Sequence, residues 1–267
     1  MEVIFYVNTV ASKKPYGASA PFNPGLALIT AGGHTGAVMR LIECPTENEW
    51  IDALAADLVR ALDGVAEPRL CLAGGTTPEP FYEAAARVLA GRGDGAPAYL
   101  VVGDERLGAI GPSERNATMI RRAFAPALES GRARLVAWGT TGDTGSMRLA
   151  MEARLADLRR PDRPLFDLCY LGLGADGHAA GLFTGADAAE AGSVVLTTAP
   201  ARPRARVSLS AAVIRNTAAT RFVVRRRGKE AALERLLAGD PSCPAVAVCT
   251  GETVVYALDE GDKEPCH

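Results

Sequence analysis

Beyond residue 39, apolar residues recur in two rhythms. Trp50, Leu54, Leu58 and Leu62 fall at helical spacing behind Thr46-Glu47-Asn48-Glu49, a T-x-x-E capping box, so a helix is expected over 46–63. Further helices are expected over 78–90, 116–125, 146–159 and 229–238. Between them lie short apolar runs of strand length, over 69–73, 99–103, 133–138, 167–173, 206–209, 221–224, 245–249 and 253–258. Alternation of strand and helix predicts an α/β fold: a mostly parallel sheet with helices on both faces. Ligands of such sheets bind beyond the carboxyl ends of the strands, so the turns there are where chemistry is expected.

Residues 1–38 break the pattern. Glu2, Lys13 and Lys14 are their only charged residues, and Gly, Pro, Ser and Ala are frequent. They are expected to form a poorly ordered or loosely attached extension, with Met39 a candidate start, ahead of a single domain over 39–267; the alternative is an added strand, since the runs over 3–7 and 26–30 are apolar enough to pair. No internal repeat and no extended linker follows.

Composition narrows the picture. With 267 residues, 48% of them hydrophobic and 22% charged, the chain can bury a sizeable core. A net charge of -2 argues against nucleic acid as the main partner, because backbone phosphates call for a basic face. No apolar run approaches the roughly 18 residues of a membrane span. The segment after Glu2 lacks a basic n-region and is too short for a signal peptide. The six cysteines show no C-x-x-C, and Cys71 and Cys169 sit within apolar runs as expected buried strand residues. A reducing, cytoplasmic setting is expected. Three histidines without H-x-x-x-H suggest no structural zinc. Monomer and small homo-oligomer both stay open.

Three turns stand out. Ala73-Gly74-Gly75-Thr76-Thr77-Pro78 joins a strand to a helix. Its glycines let backbone N–H groups approach an anion, Thr76 and Thr77 add hydroxyls, and the helix N-terminus adds its dipole. It reads as a phosphate cradle or as a plain capped turn. Gly103-Asp104-Glu105-Arg106 places three charges at a strand's end, as part of a crevice or as a solvated ion-paired loop. Gly172-Leu173-Gly174-Ala175-Asp176-Gly177-His178 carries a histidine two residues after a carboxylate. It also matches G-x-G-x-x-G, but Gly181 and Thr184-Gly185 break the helix a dinucleotide site needs. The next apolar run ends in Thr197-Thr198 with no acid, so no nicotinamide cofactor is expected. Arg202, Arg204 and Arg206, and Arg225-Arg226-Arg227-Gly228-Lys229, supply cations for a solvated face or for a phosphate.

Together these stretches, from about Leu70 to Leu258, resemble the family of 6-phosphogluconolactonases and glucosamine-6-phosphate deaminases. The S-G-G-S-T-P loop of that family is similar to 73–78. Its D-E-R with a later S-N resembles Asp104-Glu105-Arg106 and Arg115-Asn116. Its G-x-G-x-D-G-H-x-A-S-L-F-P resembles 172–184, its R-V-T-L-T resembles 206–210, and its G-x-x-K resembles the stretch ending at Lys229. Arg106 stands where deaminases carry tyrosine, and Phe183 stands where they carry a glutamate, so the resemblance points to the lactonase branch. Departures are Leu107-Gly108, Arg115, Gly181, Thr184 and Arg225-Arg226.

The resemblance implies a Rossmann-like domain that hydrolyses a phosphorylated sugar lactone without cofactor or metal. A sugar-phosphate deaminase or a non-catalytic sugar-phosphate sensor is the alternative. Lactone hydrolysis needs a positioned water, a base and oxyanion stabilisation. No G-x-S-x-G elbow is present, so direct water attack with His178 as general base is expected. Asp176 and Asp104 are both open as the acid that orients it. Gly74, Gly75, Thr76, Thr77, Arg206 and Lys229 are expected to hold phosphate, and Arg106 to touch phosphate or the carboxylate product.

Overall fold

The computed structural model describes residues 4–5, 25–30, 38–93, 95–108, 111–139, 143–200 and 205–260. In chain order the strands are β1 (Ile4–Phe5), β2 (Gly25–Thr30), β3 (Val38–Cys44), β4 (Arg69–Leu72), β5 (Ala98–Val102), β6 (Asp104–Arg106), β7 (Ala133–Val136), β8 (Phe166–Leu171), β9 (Val194–Thr198), β10 (Ala205–Leu209), β11 (Thr217–Arg225) and β12 (Thr253–Leu258). The helices are α1 (Glu47–Ala61), α2 (Glu79–Ala90), α3 (Asn116–Ala123), α4 (Ala125–Glu129), α5 (Thr144–Asp157), α6 (Gly185–Ala189), α7 (Ala211–Arg215) and α8 (Glu230–Leu237).

The large sheet runs β1-β2-β3-β12-β11-β8-β4-β5-β7. From β3 to β7 every neighbouring pair is parallel. The central strands β4, β8 and β12 are buried along their whole length, and accordingly they read as continuous apolar runs rather than alternating ones. The chain steps from β4 to β5 to β7 in one direction, then returns to β8 on the other side of β4 and continues to β11 and β12. Right-handed crossovers therefore put α1 to α4 on one face and α5 to α8 on the other. Strand order reverses between β4 and β8, which makes the crevice beyond their carboxyl ends the expected ligand site.

Local chemistry sets the elements. Thr46 Oγ1 accepts from the Glu49 N–H at 3.3 Å and starts α1, whose Trp50, Leu54 and Leu58 are buried. Trp50 Nε1 donates to the Tyr256 carbonyl at 3.0 Å, tying α1 to β12. Arg221 Nε lies 2.5 Å from Asp57 Oδ2, a buried pair between β11 and α1. Breaking one side of such a pair typically costs about 3–5 kcal/mol, because the other charge is left buried alone.

The structure corrects several expected elements. Residues 245–249 are no strand: Pro244–Val248 forms a 3-10 turn. Pro244 has no N–H for a ladder, and the run is apolar because Pro244, Ala245 and Val248 are buried near α7 and α6. β10, expected over 206–209, belongs to a separate antiparallel sheet of order β6-β10-β9. Strands β3 and β9 are additions to the expected set, and charges within β3, at Arg40 and Glu43, mask its alternation. Within the extension set apart above, β2 pairs antiparallel with β3 from Gly25↔Glu43 to Thr30↔Val38, and β1 pairs with β2. The remainder of 1–37 lies outside the described residues.

Candidate active site

The turn after β8 carries the histidine. The Gly174 N–H donates to the His178 carbonyl at 2.9 Å, and the Gly177 N–H to the Gly174 carbonyl at 3.0 Å. This closure places Gly177 at φ +94°, a backbone region that side chains disfavour. A Cβ on Gly174 would overlap the His178 ring and the Asp176 carboxylate, so these two side chains fold over a bare backbone. Asp176 Oδ1 lies 2.5 Å from His178 Nδ1 and also accepts the His178 backbone N–H at 3.1 Å. The Phe183 ring sits against the imidazole, with centroids 4.7 Å apart. The His178 side chain is 32% exposed, and its Nε2 has no hydrogen-bond partner among the described residues, so that nitrogen is available to a ligand. Burial pushes the Asp176 carboxyl up, but the His178 ring and N–H outweigh it and hold the carboxyl below its usual range.

The loop after β4 carries Gly74, Gly75, Thr76 and Thr77 on the neighbouring side of the switch point. Tyr82 Oη donates to the Ala73 carbonyl at 3.0 Å and anchors the loop to α2. A Cβ on Gly74 would overlap the amide of Asn116, the first residue of α3. Asn116 is buried, and its Nδ2 donates to the Asp104 carbonyl at 2.8 Å and to Asp104 Oδ1 at 3.1 Å. One amide thus joins the glycine loop to the acidic turn.

That turn is more ordered than three consecutive charges suggest. Asp104, Glu105 and Arg106 form β6, opposite Ser208, Val207 and Arg206 of β10. Glu105 is buried and accepts the N–H groups of Asn116 and Ala117, each at 2.9 Å, so it caps α3 where the helix dipole favours a negative charge. Arg206 Nε is 3.8 Å from Asp104 Oδ2, and Arg106 lies across the strand pair from Arg206. Burial pushes the Asp104 carboxyl up to about 6, against the pull of Arg206 and Arg106. Arg106 also donates to the Glu114 carbonyl.

The structure brings the Gly74–Thr77 loop, Asp104 and Arg206 together, with Asp176 and His178 on the adjacent strand end. Asp176, not Asp104, is the acid bonded to the imidazole. Lys229 stands at the carboxyl end of β11, beside β8. Its charged neighbours are Arg225 and Glu260, and burial together with Arg225 lowers its pKa despite Glu260.

The departures at Arg115, Gly181, Thr184 and Arg225-Arg226 have physical accounts. A Cβ on Gly181 would come within 2.7 Å of Ser208 Cβ, and this loop is clamped by Ser208 and Thr197 hydroxyls on the Gly181 N–H and carbonyl. Thr184 caps α6 reciprocally with Asp187. Arg115 donates to the Arg106 carbonyl at 3.0 Å. Arg225 pairs with Glu47 and Glu260, and Arg226 with Glu43. The supporting roles of Asn116, Glu105 and Ser208 come from contacts between distant segments, and only the spacing of Asn116 behind Asp104 is visible in the sequence. Among the described residues no three His, Cys, Asp or Glu side chains are grouped to hold a metal ion, and no helix is long and apolar enough to cross a membrane.

A doubly wound sheet with a glycine-rich turn and an acid–histidine pair at its switch point places the chain in the class of α/β proteins whose ligand crevice lies beyond the strands' carboxyl ends. Residues 45–256 match the model of the glucosamine-6-phosphate isomerases/6-phosphogluconolactonase family, and the chain belongs to that family. The 6-phosphogluconolactonase of Synechocystis is 27% identical over 210 residues, covering 76% of this chain and 86% of that protein. The Pseudomonas putida 6-phosphogluconolactonase is 28% identical over 194 residues, covering 70% and 77%. The Thermotoga maritima 6-phosphogluconolactonase structure superposes with a TM-score of 0.70 at 21% identity, covering 83% of this chain and 99% of that one. A monomeric glucosamine-6-phosphate deaminase superposes with a TM-score of 0.66 at 17% identity, covering 82% and 97%. The shared fold therefore does not separate lactonase from deaminase, and the site must.

Proposed function

We propose that this protein hydrolyses 6-phospho-glucono-1,5-lactone to 6-phosphogluconate. The observation that carries this reading is the Asp176–His178 pair, whose imidazole Nε2 has no partner among the described residues, across the switch point from the glycine-rich Gly74–Thr77 loop. Phe183 beside that imidazole supports hydrolysis over deamination, because it fills with a hydrocarbon ring the place where the resemblance gives deaminases a glutamate. The relatives of Synechocystis and Pseudomonas putida, both 6-phosphogluconolactonases by name, support the same branch.

The chemistry follows from the pair. Asp176 accepts a hydrogen bond from Nδ1–H, which fixes the tautomer and leaves the Nε2 lone pair for a water. Nε2 takes a proton from that water as its oxygen bonds to the lactone carbonyl carbon. The tetrahedral intermediate then collapses, the bond to the ring oxygen breaks, and the imidazolium returns its proton to that oxygen. Arg106 and Arg206 supply positive charge for the phosphate or the developing oxyanion, with the Gly74–Thr77 N–H groups and Lys229 completing the phosphate site. No step calls on a cofactor. Turnover of the phosphorylated lactone by purified protein, scored against the spontaneous rate, tests the proposal. Rapid hydrolysis with no ammonia from glucosamine 6-phosphate is expected, and ammonia release without lactone turnover would replace the reading by the deaminase one.

A further inference from the structure

Two successive carbonyls of the histidine turn each meet a donor from the segment that begins with α8. The Asp176 carbonyl accepts from Arg235 Nη2 at 3.0 Å. The Gly177 carbonyl accepts from the Ala245 N–H at 3.0 Å and faces Cys243 Sγ at 3.5 Å. Arg235 reaches this position by folding back along its helix, with Nε toward the Ala231 carbonyl at 3.4 Å. Its carbonyl also accepts the Asp240 N–H at 3.0 Å, so the same residue links α8 to the segment that leads into Cys243.

The peptide group is planar, so fixing a carbonyl's direction fixes the whole plane. The planes after Asp176 and after Gly177 set how the Cα–Cβ bonds of Asp176 and His178 are aimed. Gly177 has no Cβ to restrain it at φ +94°, and within the turn the plane after Asp176 is held on its N–H side, by the Gly177 bond to the Gly174 carbonyl at 3.0 Å. The carbonyl side of that plane is held from outside the turn, and Arg235 is the side chain that holds it.

Building on the lactone reading above, we propose that Arg235 is a positioning residue: by holding the Asp176 carbonyl it keeps the Asp176 carboxylate on His178 Nδ1. It touches neither substrate nor the reacting atoms. Without it the Asp176 carbonyl turns to water, the first plane rocks, and the pair separates in part of the population.

Arg235→Ala and Arg235→Gln in the full chain test this, with imidazole nitrogen chemical shifts read alongside kinetics. In wild type the His178 shifts should report a single tautomer with the proton on Nδ1. Both variants should show mixed tautomers and a kcat lowered about 10- to 100-fold, as expected for a small misplacement of a catalytic group, with KM nearly unchanged. Arg235→Lys, which keeps a donor on a flexible stem, should recover part of both. A folded variant with wild-type kcat overturns the proposal. So does a loss confined to KM, or a lowered kcat with the wild-type tautomer retained. Should wild type fail to turn over the lactone, the functional reading falls, and the tautomer comparison still decides the role of Arg235.

Discussion

His178 meets the proposed reaction through one nitrogen only, since Nδ1 is committed to Asp176 at 2.5 Å. Asparagine can keep the bond to Asp176 but has no basic nitrogen. His178→Asn should therefore lower kcat by roughly 10²–10⁴ with the fold intact; a folded variant that turns over like wild type would remove His178 from the mechanism. Charge on the phosphate is a separate matter. Arg206→Ala and Lys229→Ala should each cost about 1.5–3 kcal/mol, seen as a raised KM for the phosphorylated lactone and little change for gluconolactone. Equal effects on both lactones would place the phosphate elsewhere. Asp104 gives a pH signature. Its carboxyl is pushed up to about 6 in the folded protein from 3.8, so the native state binds the proton more tightly than the unfolded one. The stabilisation from this group is complete below about pH 4 and is lost as pH rises through about 6. Urea midpoints from pH 4 to pH 7 should show wild type losing ground against Asp104→Asn across that window, and a constant offset between the two would contradict the burial argument.

At the scale of elements, the site depends on contacts between turns. The Gly74 backbone lies against the Asn116 amide at the head of α3, and that amide holds Asp104 at the start of β6. Gly74→Ala has no room unless Asn116 moves. It should destabilise by about 1–3 kcal/mol, as overpacking does, and lower kcat/KM beyond what the loop's own N–H groups account for. Wild-type kinetics and melting in this variant would show the contact to be soft. This coupling was only half legible in the sequence. The glycine loop, the acidic turn and the histidine turn were each visible from strand ends and turn residues, because such features are local. The Asn116 bridge and the β6-β10-β9 sheet were not, because they arise where segments far apart in sequence meet. The run over 245–249 misled for the same reason: its apolar residues cover the histidine turn rather than fill a strand, and period alone does not separate the two.

For the whole molecule, the alternation of strands and helices was enough to give the parallel sheet and the place of its crevice, while the sheet's edges were not. β2 adds six paired residues to β3. Backbone bonds at an edge exchange for bonds to water, with a net gain near 1 kcal/mol each, and ordering each residue costs about 1–2 kcal/mol. These terms roughly cancel, so we propose that residues 1–38 add little to stability. A chain beginning at Met39 should melt within about 5 °C of the full chain, and a larger fall would mean well over 1 kcal/mol and make β2 part of the core. The other flank of β3 is different in kind. β12 lies between β3 and β11, so its neighbours precede it by more than two hundred residues on one side and by under forty on the other. During synthesis the sheet has a gap where β12 will lie, with Val38–Cys44 separated from β11 and Trp50 still without the Tyr256 carbonyl. Assembly therefore closes from the inside, by insertion of a late strand between two waiting ones. The nascent protein carries two open strand edges until that moment, a state in which chaperone binding and edge-to-edge aggregation compete with folding.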